Sequence, residues 1–206
     1  MTLIPPHYLD SVGVLEAADL STDPPTFTPV ATGTLLGYKV ADQEGVPEGQ
    51  YRRILFLATN KHVVDGQPEL WIRFNQGAGS ERFHLSMQEN GEPTFRLHPR
   101  FDVAVAMIDG GQLEKAGAVF DAIPNFALLD LAGMEENEVA GGDSVFVLGF
   151  PMGIAGQQRK YAIVRGGVVA RVDRDIVDET DSFLIDCSVF PGNSGGPVVL
   201  PPEAIS

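Results

Sequence analysis

Three side chains in this sequence have the types and local settings that acyl-transfer chemistry needs. Ser194 stands in Pro191-Gly192-Asn193-Ser194-Gly195-Gly196-Pro197, between the apolar runs Phe183-Leu184-Ile185 and Val198-Val199-Leu200. Glycine on both sides permits positive φ and close approach of the backbone. A loop of that kind presents a hydroxyl and turns neighbouring N–H groups towards one point, which a nucleophile requires where negative charge develops. His62 lies in Thr59-Asn60-Lys61-His62-Val63-Val64-Asp65-Gly66, where Thr59 or Asn60 caps a single helical turn that Gly66 stops. Asp102 opens Phe101-Asp102-Val103-Ala104-Val105-Ala106-Met107-Ile108, and a carboxylate at the mouth of an apolar strand is costly unless paired. Each has an ordinary explanation taken singly: a glycine-rich hairpin turn, a packed or capping histidine, an exposed turn aspartate. Together they occur in the order His, Asp, Ser, 40 and then 92 residues apart. A serine needs a base to take its proton, and the base needs a third group to hold one tautomer.

The elements that must position these groups read as short strands separated by Gly and Pro turns, an all-β pattern. Pro29–Tyr38 and Arg53–Thr59 form a hairpin across the loop 41–50, and Leu70–Phe74 pairs with Arg82–Met87 across Gln76–Gly79. His84 falls on the polar side of the second of these strands, His98 in a turn and His7 in an N-terminal arm; none has a partner at metal-ligand spacing. A helix is expected within 113–120, in a surface connection over 111–142. A second β series follows: Ser144–Phe150, then Tyr161–Val172 with a bulge or corner at Gly166-Gly167, then Phe183–Asp186 after an acidic hairpin tip at 173–181. Four segments are expected: an arm (1–27), a first barrel with His62 and Asp102 (28–110), the connection (111–142), and a second barrel with Ser194 (143–206). Two barrels side by side would bring all three groups into the cleft between them.

Composition bounds the partners. The 206 residues carry a net charge of −14, which repels nucleic acid and anionic membrane surfaces, so neither is an expected partner. No apolar run reaches transmembrane length. The lone cysteine, Cys187, excludes an internal disulfide. With an N-terminus lacking a basic and an apolar region, it leads to the expectation of a cytoplasmic setting. No cofactor and no metal are expected. The G-x-S-x-G pattern around Ser194 also matches the nucleophile elbow of α/β-hydrolases, but that chemistry needs a following helix and a later histidine. No histidine follows Ser194.

The segments Thr59–Val64, Phe101–Val105 and Pro191–Pro197 resemble the signature segments of chymotrypsin-fold (trypsin-like) serine peptidases, nearest the bacterial high-temperature-requirement protease branch. The resemblance spans roughly residues 28–200. It implies two six-stranded-type β-barrels packed side by side, with Ser194 as nucleophile, His62 as general base then acid, and Asp102 orienting His62. The N–H groups of Gly192 and Ser194 would form the oxyanion hole. Ser188, six residues before the serine, would lie at the base of the specificity pocket, which argues for a small or apolar residue there rather than Arg or Lys. The implied substrate is a protein or peptide, cleaved through an acyl-enzyme intermediate.

The second strand group has about four strands where the family has six, so the second barrel is expected to be incomplete in this chain. A partner or a segment beyond Ser206 is expected to complete it. Two rival functions follow: a catalytically silent two-barrel module that binds peptides or proteins, and a peptidase active only within a partner-triggered assembly.

Overall fold

The computed structural model describes residues 4–40 and 53–201; the loop expected over 41–50 lies outside them. The chain is all-β in plan, with short helices between strands. Its strands are β1 (Val12–Asp19), β2 (Thr26–Lys39), β3 (Arg53–Thr59), β4 (Leu70–Gln76), β5 (Gly79–Leu85), β6 (Gln88–Glu89), β7 (Glu92–Pro93) and β8 (Arg96–Leu97). They continue as β9 (Ala104–Ile108), β10 (Ala118–Val119), β11 (Ile123–Pro124), β12 (Ser144–Gly149), β13 (Ile163–Arg171), β14 (Leu184–Cys187) and β15 (Val198–Val199). The helices are α1 (Pro6–Asp10), α2 (Lys61–Val64), α3 (Gly110–Lys115), α4 (Leu131–Glu136) and α5 (Arg174–Thr180).

A nine-stranded sheet runs β10-β4-β1-β2-β3-β9-β8, with β11 on β2 and β5 on β4; a four-stranded sheet runs β14-β13-β12-β15. The first encloses a core of Leu15, Leu35, Leu57, Leu70, Ile72 and Phe74, all at most 1% exposed. Burying each such side chain is worth about 1.5–3 kcal/mol. Alternation along β4 is as expected, Ile72 inward and Trp71 on the other face. There Trp71 packs on Phe27 and on the exposed His84, which pairs with Glu69.

Several local expectations change. The short strand that Val12–Leu15 suggests within the arm is present and runs on to Asp19 as β1, but it is inserted between β2 and β4, with Val12, Val14 and Leu15 fully buried. Its Glu16 is buried too, because Arg73 Nε lies 3.0 Å and Arg82 Nε 2.5 Å from its carboxylate. The helix expected within 113–120 starts at Gly110, since the Asp109 carboxylate accepts hydrogen bonds from the N–H groups of Gly111 and Gln112. The acidic stretch read as a hairpin tip is α5, capped by Asp173, which accepts from Ile176 N–H, and closed by Asp181 in the left-handed region. The irregularity in β13 falls between Val169 and Arg171 rather than at Gly166-Gly167. Gly167 instead allows a close crossing: a Cβ there would lie 2.4 Å from Asp186 O.

Two seams join the sheets. At one, Arg73 donates to Gly156 O (3.1 Å) and Ser80 to Gln158 O (2.9 Å), while Asn75 bonds both backbone groups of Lys160. At the other, Thr32 and Thr34 of β2 grip the loop that carries Ser194.

Candidate active site

His62 is placed by the corner where β3 gives way to α2. Val63 and Val64 are buried and anchor the single helical turn, so the neighbouring imidazole is left outside. Neither candidate cap behaves as expected. The Asn60 side chain makes no capping bond; it reaches across to donate to Asp102 O at 2.8 Å. Thr59 donates its hydroxyl to Thr32 O at 2.9 Å.

Asp102 sits in a bend just before β9, and His98 shapes that bend. Its Nδ1 accepts from Phe101 N–H (2.9 Å) and Arg100 N–H (3.3 Å), and its ring stacks on Phe101 with centroids 4.3 Å apart. The Asp102 carboxylate then holds His62 at two points. Oδ1 accepts from the His62 backbone N–H at 2.9 Å, and Oδ2 lies 2.6 Å from Nδ1. A carboxylate on Nδ1 fixes the ring orientation and makes Nδ1 the protonated nitrogen, leaving Nε2 to act as a base. Burial pushes the Asp102 carboxyl up, but hydrogen bonds from the His62 N–H and imidazole, the imidazole's charge and the Lys61 N–H outweigh it; the carboxyl lies below its ordinary value.

Ser194 follows a turn whose chemistry is local. Asn193 N–H donates to Phe190 O at 3.0 Å across Pro191 and Gly192, and Gly192 has φ +98°. Proline then glycine at these positions is the type II signature. Gly192 and Asn193 are buried and Ser194 is half-buried. Long-range contacts hold the loop: Thr32 N–H donates to Ser194 O (2.9 Å), the Thr32 hydroxyl to Gly192 O (2.8 Å) and the Thr34 hydroxyl to Gly195 O (2.7 Å). Gly195, with φ +82°, lies so close to Thr32 and Thr59 that no side chain fits. The loop therefore docks against the last residue of β3, directly before the histidine corner. Among the described residues the N–H groups of Gly192 and Ser194 donate to no protein acceptor, and no hydrogen bond joins the Ser194 hydroxyl to His62.

Ser188 is exposed just after β14, beside exposed Val189 and Phe190, while the Arg165 guanidinium lies over the Phe190 ring at 4.8 Å. Across from Asp102 a shallow cleft runs between Arg100–Val103 on one wall and Thr180 and Asp181 at the end of α5 on the other. Among the described residues no group of His, Cys, Asp or Glu is arranged to hold a metal ion, and no helix is long and apolar enough to cross a membrane.

With the geometry in place, comparison with known proteins identifies the fold. The family model of the trypsin-like peptidase domain matches residues 40–202. The chain belongs to that family. The probable periplasmic serine endoprotease DegP-like of Pseudomonas savastanoi pv. phaseolicola is 30% identical over 145 residues, covering 69% of this chain and 24% of the relative. The serine protease Do-like HtrB of Bacillus subtilis is 26% identical over 151 residues, covering 70% and 27%. The chain thus spans about a quarter of the length of these curated relatives. Among solved structures, the HtrA-type protease AlgW with a tripeptide superposes at a TM-score of 0.53 with 19% identity, covering 95% of this chain and 48% of that one. The MamO protease domain from Magnetospirillum magneticum gives 0.53 with 16% identity, covering 94% and 80%. The chymotrypsin-like fold and the high-temperature-requirement branch are those the three signature segments resembled. The expected cytoplasmic setting is overturned, since the Pseudomonas relative is described as periplasmic. A single cysteine has no bearing on the compartment, because a domain with an ample core folds without disulfides in either.

The triad candidates are legible in the sequence because their chemistry dictates residue type. Thr32 and Asn60 are not, because each bonds a backbone carbonyl far along the chain, whereas the turn expected at His98 is the bend its Nδ1 holds.

Proposed function

We propose that this chain is a serine endopeptidase domain working outside the cytoplasm, the setting named for its Pseudomonas relative. The observation that carries the reading is the two-point hold of Asp102 on His62, at 2.6 and 2.9 Å. Nothing in the folding of a bend requires a carboxylate to fix both the backbone and the ring of one histidine, whereas a general base does. In this reading Ser194 Oγ attacks the scissile carbonyl carbon as its proton passes to His62 Nε2. The carbonyl oxygen becomes an oxyanion facing the N–H groups of Gly192 and Ser194, which are free of protein acceptors among the described residues. Collapse breaks the C–N bond, His62 returns the proton to the leaving amine, and water resolves the acyl-enzyme by the same steps in reverse order of partners. The missing Ser194–His62 bond does not count against this, because such bonds are often long before substrate tightens the site. The substrate is a protein or peptide, as AlgW's tripeptide complex supports for a relative of the same fold. Ser188 is the proposed pocket residue, favouring a small or apolar side chain.

One observation favours a second reading, a peptidase completed by a partner: the His62 and Asp102 side chains are 59% and 51% exposed, open for a pair meant to work in a dry cleft.

The test is labelling with a fluorophosphonate probe, comparing wild type with Ser194→Ala and His62→Ala. Label on wild type alone supports the reading. Equal labelling of all three, or none even with peptide substrate and candidate partners added, refutes it.

A further inference from the structure

We propose that Thr32, a buried β2 residue far from the candidate triad in sequence, is the positioning residue that sets the Gly192 and Ser194 N–H groups as oxyanion donors. The inference rests on the reading of those two groups given above.

Thr32 is 0% exposed and spends every polar atom on the site. Its N–H donates to Ser194 O (2.9 Å) and its hydroxyl to Gly192 O (2.8 Å). The same hydroxyl accepts from Phe150 N–H (3.2 Å), and its carbonyl accepts from the Thr59 hydroxyl (2.9 Å), three residues before His62. One residue thus ties the nucleophile loop, the end of β12 and the histidine corner.

The consequence follows from peptide planarity. In a trans peptide the C=O and N–H point in opposite directions, so fixing the carbonyl fixes the direction of the next N–H. Pro191 O accepts from Met152 N–H at 2.6 Å, which turns Gly192 N–H away from the Pro151–Gly153 turn. Gly192 O is held by the Thr32 hydroxyl, which fixes the next plane. Both peptide planes that meet at Gly192 are therefore pinned. The plane that carries the Ser194 N–H is held by Gly196 N–H on Asn193 O (2.8 Å), and the plane that follows it by Thr32 N–H on Ser194 O, so both planes that meet at Ser194 are pinned as well. The loop's own bonds, Asn193 N–H to Phe190 O at 3.0 Å and Gly196 N–H to Asn193 O at 2.8 Å, hold two of these planes from within, and neither reaches the carbonyls of Gly192 and Ser194 that Thr32 holds. Without the Thr32 hydroxyl the Gly192 carbonyl is left buried with no donor. The Gly192–Asn193 plane is then held only through Asn193 N–H on Phe190 O, and tilting it towards a new donor disturbs the preceding plane with it.

There is no room for water to substitute for the hydroxyl. A Cβ added at Gly149 would lie 2.7 Å from Thr32 Oγ1, and one at Gly192 would lie 2.3 Å from Phe150 O. The site is packed around an oxygen atom of a threonine.

The experiment compares wild type, Thr32→Val and Thr32→Ser by two readouts. The first is fluorophosphonate labelling, resolved into a maximal rate and a half-saturating probe concentration. The second is amide hydrogen exchange of the segment 188–196 relative to the rest of the chain. Valine keeps the shape and removes the hydroxyl; serine keeps the hydroxyl. Thr32→Val is expected to lower the maximal labelling rate about 10- to 100-fold, as for a misplaced donor, with the half-saturating concentration unchanged within about twofold. Exchange should rise in 188–196 alone, and Thr32→Ser should restore both readouts. If Thr32→Val does not fold, Thr32→Ala is held to the same expectations.

Wild-type rate and wild-type exchange in the folded variant overturn the proposal. So does a change confined to half-saturation, or exchange raised uniformly over the chain, which marks a merely structural residue. If wild type does not label even with peptide substrate and candidate partners added, the peptidase reading has failed by itself. Exchange then decides on Thr32: a rise confined to 188–196 upholds its hold on the loop, and no rise overturns it.

Discussion

The dependence of the proposed nucleophile, Ser194, on docking between the two sheets gives a sharp prediction at Gly195→Ala. A Cβ at this position would lie 2.2 Å from Thr32 O, 2.3 Å from Thr59 Oγ1 and 3.0 Å from Thr59 Cα. The obstacles are backbone and a bonded hydroxyl of two packed strands, so they do not swing aside. Ordinary contact begins near 3.4 Å, and the loop must retreat by about 1 Å. Retreat moves Ser194 away from the histidine corner, since Thr59 is the residue on which that corner is built. A misplacement of about 1 Å at a reacting group costs about 100-fold in rate, equivalent to about 2.7 kcal/mol of activation free energy. The positive φ of +82° adds about 1 kcal/mol against folding for alanine.

The two contributions separate with a control. Gly117 has φ +72° and nothing within 4 Å of where a Cβ would stand, so Gly117→Ala carries the backbone strain without the clash. The assay is the fluorophosphonate labelling rate together with urea unfolding for both variants. Gly195→Ala should label about 100-fold more slowly while remaining folded, and Gly117→Ala should lose about 1 kcal/mol of stability and label normally. A folded Gly195→Ala that labels at the wild-type rate would refute the argument that the docking distance sets the position of the nucleophile.

Further expectations concern the pair, the buried charges and the strand crossing. Asp102→Asn keeps an acceptor for the His62 N–H but presents an N–H to Nδ1, so peptide hydrolysis should fall about 10⁴-fold with the fold intact by circular dichroism. Lys160 is 3% exposed, and burial, opposed by Asp10 and assisted by Arg73, pushes its ammonium down to about 8 from 10.5. The unfolded chain binds this proton more tightly, so wild-type stability gains from the group as pH rises from about 8 to 10.5, and the full cost of about 3 kcal/mol is present below pH 8. Urea unfolding between pH 7 and 10 should show that slope in wild type and its loss in Lys160→Met. Glu16→Gln leaves the 3%-exposed Arg73 without its counter-charge and should cost about 3–5 kcal/mol by urea unfolding. Gly167→Ala, with its Cβ 2.4 Å from Asp186 O and 2.6 Å from Cys187 Cβ, should lower the thermal midpoint by forcing β13 and β14 apart.

What the sequence reveals of this site is set by how far each residue's partner lies along the chain. Ser194 is flanked by glycines and prolines that make its own turn, so its setting is written within seven residues. His62 and Asp102 sit where strands end, and apolar runs mark those ends. Thr32 lies in Ala31-Thr32-Gly33-Thr34, which reads as an ordinary β-branched strand; its hydroxyl bonds a carbonyl 160 residues away. The start of β1, Val12–Leu15, reads as a short strand, and its continuation to Asp19 is obscured for a related reason. A glutamate in mid-strand spoils the apolar pattern unless its arginine partners, on β4 and β5, are known to face it. In α5 the acidic composition conceals a helix whose start is fixed by one side-chain cap at Asp173. The compartment is beyond reach of the sequence because one unpaired cysteine is compatible with either redox setting.

Division of labour between the sheets accounts for the way the loop of the proposed nucleophile is built. The loop fixes two of its peptide planes by its own bonds, Asn193 N–H to Phe190 O and Gly196 N–H to Asn193 O, but these leave the carbonyls of Pro191, Gly192 and Ser194 without a partner inside the loop. Those carbonyls are held from outside, Pro191 O by Met152 N–H from the four-stranded sheet's own connection and the other two by Thr32 from the nine-stranded sheet. Met152 occupies a left-handed backbone position at φ +53° and is 60% exposed, so it is its N–H, not its thioether, that the site uses. The same connection runs on to Gly156 and Lys160, which Arg73 and Asn75 hold against β4. A single segment, 150–160, therefore carries one post of the nucleophile loop at its start and one seam between the sheets at its end. The geometry at Gly192 is tied to the docking of the two halves, and a serine so placed is competent only when they are together.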